Sequence, residues 1–134
     1  MQSTSCMLIA RDEPMPELIF SHEKVNDSPR IVIVRIDGEV DMGNAREVEG
    51  HFDSVLQETQ PKHMLLDLSG VPFGDSAFFS ALLVCREEVM KRGGELILFS
   101  LRPELFSTMR ILTLDRVLSI RADQAAALAA LPAE

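Results

Sequence analysis

The sequence predicts one α/β domain with a mixed, mostly parallel sheet of about five strands and about four helices. Three observations point there. Short apolar runs recur along the chain, each too brief for a helix and each closed by a polar or glycine-bearing break. Longer segments between them carry apolar residues at helical spacing. A hydrophobic content of 46% over 134 residues supplies a core for one domain of this size without disulfide or metal support.

Residues 1–17 are polar, with Pro14 and Pro16, and read as an N-terminal extension; the domain proper is 18–134. LIF at 18–20 and IVIVRI at 31–36 form the first two strands, an antiparallel hairpin turned by NDSP at 26–29. Ala45, Val48, Phe52, Val55 and Leu56 fall at i, i+3, i+7, i+10 and i+11 and draw one helical stripe. Asn44 with Glu47 reads as a reciprocal cap at its start. MLLDL at 64–68 is a strand buried on both faces. A second helix runs from Ser76 to the Gly93-Gly94 stop after Lys91-Arg92, and its first part, AFFSALLVC, is apolar nearly all round. LILF at 96–99 is the next strand. Pro103 opens a third helix marked by Leu105, Phe106, Met109 and Leu112. VLSI at 117–120 is the last strand, and DQAAALAAL is a fourth helix capped by Asp123. The connections between the later strands are long enough for helical crossovers, which parallel strands require.

Charge and composition exclude several classes. The chain has 13 Lys+Arg against 21 Asp+Glu, a net charge of −8, whereas nucleic-acid affinity is carried by cations neutralising phosphates. It has no Trp or Tyr to stack on bases. No run approaches the ~18 apolar residues of a membrane span. The start, MQSTSCMLIARDEP, lacks the cations that precede the apolar segment of a secretory signal. Cys6 and Cys85 are far apart and have no zinc-type spacing, so they read as reduced thiols. The expectation is a cytoplasmic protein with no cofactor or metal and no nucleic-acid or membrane partner.

Two segments carry candidate chemistry. In GVPFGDSAFF, Asp75-Ser76 meets the apolar start of the second helix. Asp75 reads as an ordinary N-cap, and Ser76 as a hydroxyl on the first turn, where the helix N-terminus favours negative charge. The two roles are compatible. In IDGEVD, Asp37, Glu39 and Asp41 share a side if the chain stays extended, as a hard-cation site or as a solvated turn. With Asp67 they would serve a small phosphoryl-transfer or metal-dependent enzyme. An aspartyl-phosphate receiver would also need a lysine after a late strand, and LILF is followed by Ser100, Leu101 and Arg102. Nucleophile-elbow, P-loop and zinc-protease motifs are missing, and His22, His51 and His63 lie in unrelated segments and read as surface residues.

The runs IVIVRIDGEVDMGNAREVEGHF, HMLLDLSGVPFGDSAFFSALL and KRGGELILFSLRPELFSTMRILTLDRVLSI resemble a STAS domain of the bacterial anti-sigma factor antagonist family. The resemblance rests on GEVD after an apolar strand, the Phe-x-Asp-Ser element and the GGEL lead into the next strand. It implies a non-enzymatic protein that captures an anti-sigma factor with serine kinase activity and is switched off when that kinase phosphorylates the serine after the motif aspartate. By position that serine is Ser76 and the aspartate Asp75, and the family's loop acid is Asp41. The implied contact surface is Asp41, Asp75, Ser76, Ala77, Phe78 and Phe79, with a serine phosphatase as a further partner. Family members follow the phosphoacceptor with a hydroxyl residue and a glycine, where this chain has Ala77 and Phe78. The alternative is a divergent STAS scaffold or transporter-accessory protein that binds a partner without phosphorylation.

Overall fold

Two strands that are apolar along nearly their whole length have to be covered on both faces, and they set the centre of the molecule. The computed structural model describes residues 18–25 and 28–132. The elements in order are β1 (Ile19–Val25), β2 (Ser28–Asp37), α1 (Ala45–Thr59), β3 (His63–Gly70), α2 (Ser76–Lys91), β4 (Leu96–Phe99), α3 (Pro103–Ile111), a 3₁₀ turn (Leu114–Arg116), β5 (Ser119–Arg121) and α4 (Gln124–Ala129). Strand order across the sheet follows chain order. β1 runs antiparallel to β2, and every later neighbour is parallel. The predicted mixed, mostly parallel sheet with four helices is the observed one. The 1–17 extension, Cys6 and the first half of the NDSP turn, Asn26 and Asp27, lie outside the described residues, while Ser28 and Pro29 already belong to β2.

Strand alternation divides the apolar side chains between two layers. Val32, Val34 and Ile36 of β2, with Met64, Leu66 and Leu68 of β3, face the main core built with α1, α2 and α3. Ile33, Leu65, Ile97 and Phe99 face the other way and pack with Ala127 of α4. The five residues of the α1 stripe are the buried residues of that helix. β1 is longer than the apolar triplet predicts because its pairing to β2 continues through the polar His22, Glu23 and Lys24. β5 starts two residues later than predicted, since Val117 still belongs to the exit of the 3₁₀ turn, where its N–H donates to the Leu114 carbonyl.

His63 and His51 correct the surface expectation, while His22 is exposed as expected. His63 is 1% exposed, and its Nδ1 accepts the Glu95 N–H at 3.0 Å. The hairpin lays Phe20 on His51 with ring centroids 4.3 Å apart, and His22 lies 6.1 Å from His51. His51 Nε2 is buried without a hydrogen-bond partner among the described residues. Burial, then the positive charge of a protonated His22, lower the His51 pKa below 6.5, opposed by Glu58. The unfolded chain therefore binds the proton first as pH falls, so stability present above pH 6.5 is lost below it. Urea midpoints are expected to drop between about pH 7 and about pH 5, and His51→Phe to flatten that slope. An unchanged slope in the variant assigns the loss elsewhere.

Candidate functional site

The loops that leave the C-terminal ends of β2 and β3 are tied into one corner by main-chain bonds. Gly38, at φ 127°, turns the chain out of β2 in a region that favours glycine, and its N–H donates to Gly70 O at 2.9 Å. Val40 N–H donates to Phe73 O at 3.2 Å, and Asp75 N–H to Val40 O at 3.3 Å, so Val40 and Gly74 form an isolated parallel bridge. Val40 is fully buried beneath it. The residues that follow the two halves of the bridge are Asp41 on one loop and Asp75-Ser76 on the other. Gly74 is required here because a Cβ would run into the Phe78 ring.

Each acid has a local structural task. Asp41 Oδ1 accepts the Gly43 N–H at 2.8 Å, while its carbonyl accepts from Asn44 and Ala45 at the start of α1. Asn44 does not cap α1 with its side chain, contrary to the reciprocal-cap prediction. Its Oδ1 accepts the Asp41 N–H and its Nδ2 donates to Glu39 O, both at 2.9 Å, which stiffens the loop instead. Asp75 is the N-cap of α2. Its Oδ1 accepts from Ala77 N–H at 2.9 Å and Phe78 N–H at 3.4 Å. Ser76 is the first residue of α2, exposed, and its hydroxyl makes no hydrogen bond among the described residues.

This cap allows charge and capping to be separated. Asp75→Ala is expected to lower stability by about 1 kcal/mol, the usual cost of losing a side-chain cap, whereas Asp75→Asn keeps an acceptor oxygen and stays within a few tenths of wild type. Chemical denaturation of the two variants is the measurement. Equal losses would show that the carboxylate charge, not the hydrogen bonding, holds the turn.

The surface around Ser76 differs from the predicted one. Phe78 is fully buried and Phe79 is 5% exposed, so both belong to the core and neither is available to a partner. That corrects the expectation that they contribute to a contact surface. Their rings pack 6.0 Å apart beneath the corner, while Ala77 is half-buried. The exposed apolar residues are Phe73 in the loop before Ser76, at 53%, and Met42 in the loop after Asp41, at 82%. Ser80 and Val84 continue the exposed side of α2 at intervals of four residues. Phe73 stands within the motif, but spacing cannot reveal its exposure, because a loop phenylalanine has no periodicity to give it a face.

The acids of IDGEVD do not converge. Asp37 receives both Arg35 Nε at 3.0 Å and Nη2 at 2.9 Å, Glu39 is exposed, and Asp41 is folded into its own turn. Asp67 is held by Arg35 Nη1 at 2.9 Å and accepts the Ser69 hydroxyl at 2.7 Å. Arg35, bonded to Asp37 and flanked by Asp67, has its pKa raised further. This network ties the ends of β2 and β3 together below the corner and leaves the carboxylates occupied. Among the described residues no group of His, Cys, Asp and Glu is arranged to hold a metal ion, and no helix is long and apolar enough to cross a membrane. Cys85 is a free, buried thiol whose pKa is pushed up to about 12, chiefly by desolvation and then by Glu88.

Comparison with known proteins places the same elements in a wider set. The family model described as STAS domain matches residues 24–127. The anti-sigma F factor antagonist of Paenibacillus polymyxa is 26% identical over 90 residues, covering 67% of this chain and 77% of that protein. The crystal structure of an anti-sigma factor antagonist from Mycobacterium paratuberculosis superimposes with a TM-score of 0.75 at 23% identity, covering 86% of this chain and 94% of that one. The phosphorylated form of SpoIIAA, the Bacillus cell fate determinant, gives a TM-score of 0.61 at 17% identity, covering 83% and 98%.

Proposed function

The chain belongs to the STAS domain family, and from that premise we propose that it is an anti-sigma factor antagonist controlled by phosphorylation of Ser76. In this reading the unphosphorylated protein captures an anti-sigma factor that is also a serine kinase, in the cytoplasm, and thereby frees a sigma factor. The kinase brings the ATP and Mg²⁺, and a serine phosphatase reverses the modification. The protein itself acts by binding and not by catalysis.

The observation that carries the proposal is the state of Ser76. It is an exposed hydroxyl without a hydrogen bond among the described residues, on the first turn of a helix whose nearest N–H donors are already taken by Asp75. A hydroxyl so placed is open to a kinase. Phe73 in the same loop, and Met42 in the loop that the Val40–Gly74 bridge ties to it, are exposed and supply apolar contact area, while Asp75 next to it and Asp41 on the bridged loop add negative charge to this corner. The departure from the family pattern at Phe78 lies below this surface, so it does not obstruct an approaching partner. Ala77 leaves Ser76 as the one hydroxyl at that position.

Intact-mass analysis of the protein purified from its own cells tests the reading. Wild type is expected to carry a population heavier by one phosphate, and Ser76→Ala to lack it. A wild-type protein without phosphate under every growth condition would favour a scaffold or transporter-accessory role for the same corner.

A further inference from the structure

Two features of the surface lie away from the Ser76 corner and match each other. The first is a groove of about 340 Å³ between α1 and α2. Phe52, Leu56, Ala81 and Cys85 make its apolar floor, and Val84, 53% exposed, forms part of its wall. Its polar rim is wholly acidic, made of Glu49, Asp53 and Glu88. The second is a knob at the far end of α3. Ile111 is 79% exposed, Leu112 51% and Val117 46%, and Arg110 and Arg116 flank them, against a single acid, Asp115. Thr113, at φ 59°, turns the chain sharply after α3 and brings the 3₁₀ turn back beside it.

We propose that the α3 knob of one copy docks in the α1–α2 groove of a second copy, so that the chain associates head to tail. Exposed Ile111, Leu112 and Val117 remove apolar surface from water chiefly against exposed Val84, above the already buried floor of Phe52 and Leu56, while Arg110 and Arg116 meet the carboxylates of the rim. The complementarity of charge selects the occupant. In a chain of net charge −8, the acidic groove repels most of another copy's surface and accepts its basic end. One chain cannot fill its own groove, because α1 lies against β1 and α2, whereas α3 contacts the 3₁₀ turn next to the opposite sheet edge. The contact is heterologous, so each added copy leaves one groove and one knob open and growth does not stop at two. Both patches are small, which makes the association weak and concentration-dependent.

Sedimentation velocity of the full chain tests this. The weight-average sedimentation coefficient of wild type is expected to rise with concentration up to about 1 mM and to fall back in about 0.5 M NaCl, where exposed charges are screened. Ile111→Asp, which spoils the knob, and Val84→Asp, which spoils the groove, are each expected to sediment as monomers. Mixed together they retain one intact knob and one intact groove and are expected to form a one-to-one dimer and nothing larger. Asp53→Arg replaces Val84→Asp if the latter does not fold. A wild type that stays monomeric throughout the range, self-association by either variant alone, or a mixture that remains monomeric overturns the proposal.

Discussion

Ser76→Glu is expected to weaken capture of the anti-sigma kinase by about 100-fold or more, about 2.8 kcal/mol, while leaving the stability of the free domain within about 0.5 kcal/mol of wild type. The two halves of this expectation come from different geometry. In the free protein residue 76 is exposed at N1 of α2, where an acid is compatible with the helix dipole and displaces nothing. The first-turn donors that would hold an anion, Ala77 N–H and Phe78 N–H, are already bonded to Asp75, so an added charge gains little there and projects outward. In a complex the same charge is desolvated next to Asp75, and two like charges about 4 Å apart cost about 4 kcal/mol at an effective dielectric of about 20. Phosphoserine, carrying about −1.5 to −2, exceeds the glutamate effect. Titration of the labelled kinase with wild type and Ser76→Glu reads the affinities, and denaturation reads the stability. Equal affinities would remove Ser76 from the switch, and a large loss of stability would mean that the variant acts by unfolding the corner.

Parts of this site are legible in the sequence because they depend on short stretches of chain. Asp75 and Asp123 each cap the helix that begins at the next residue, a bond that needs only an N–H two or three residues further on. The α1 stripe is legible because that helix has one core face and one period. α2 has no such phase. With apolar residues nearly all round, its sequence does not tell which of Phe78, Phe79 and Val84 faces out; the seating of α2 against α1, β4 and the Gly74 loop decides it. Asn44 departs from its predicted role for a related reason. Its side chain is drawn to Glu39 and Asp41 by a loop whose shape depends on the Val40–Gly74 bridge, a pairing of residues far apart in sequence. The His51 stack and the α3 knob are likewise products of packing, invisible to spacing.

Gly94→Ala is expected to lower stability by about 3 kcal/mol or more, whereas Gly93→Ala costs about 1 to 2 kcal/mol, although both glycines belong to the same helix stop. Their N–H groups donate to Met90 O at 2.9 Å and Val89 O at 3.1 Å, the paired bonds of a Schellman ending. Gly93 is needed for its conformation. Its φ is 80°, and a Cβ there would meet no atom, so an alanine bears only the left-handed backbone cost. Gly94 is needed for its missing side chain. It is buried, and a Cβ would collide with the main-chain carbonyl of Lys62, which cannot rotate aside as a side chain can. Lys62 N–H is bonded to Arg30 O at 2.8 Å, Met64 N–H to Glu95 O at 3.1 Å and Glu95 N–H to His63 Nδ1 at 3.0 Å. Moving Lys62 away from an alanine therefore strains the starts of β3 and β4 together, at the centre of the sheet. The β3 strand so displaced ends in the loop that carries Asp75 and Ser76, so the variant is expected to lose partner binding in proportion to its loss of folded population. Urea unfolding of the two variants side by side decides the matter: a Gly94→Ala loss no greater than that of Gly93→Ala would show that the junction yields, and that close approach at Lys62 is not what fixes glycine at 94.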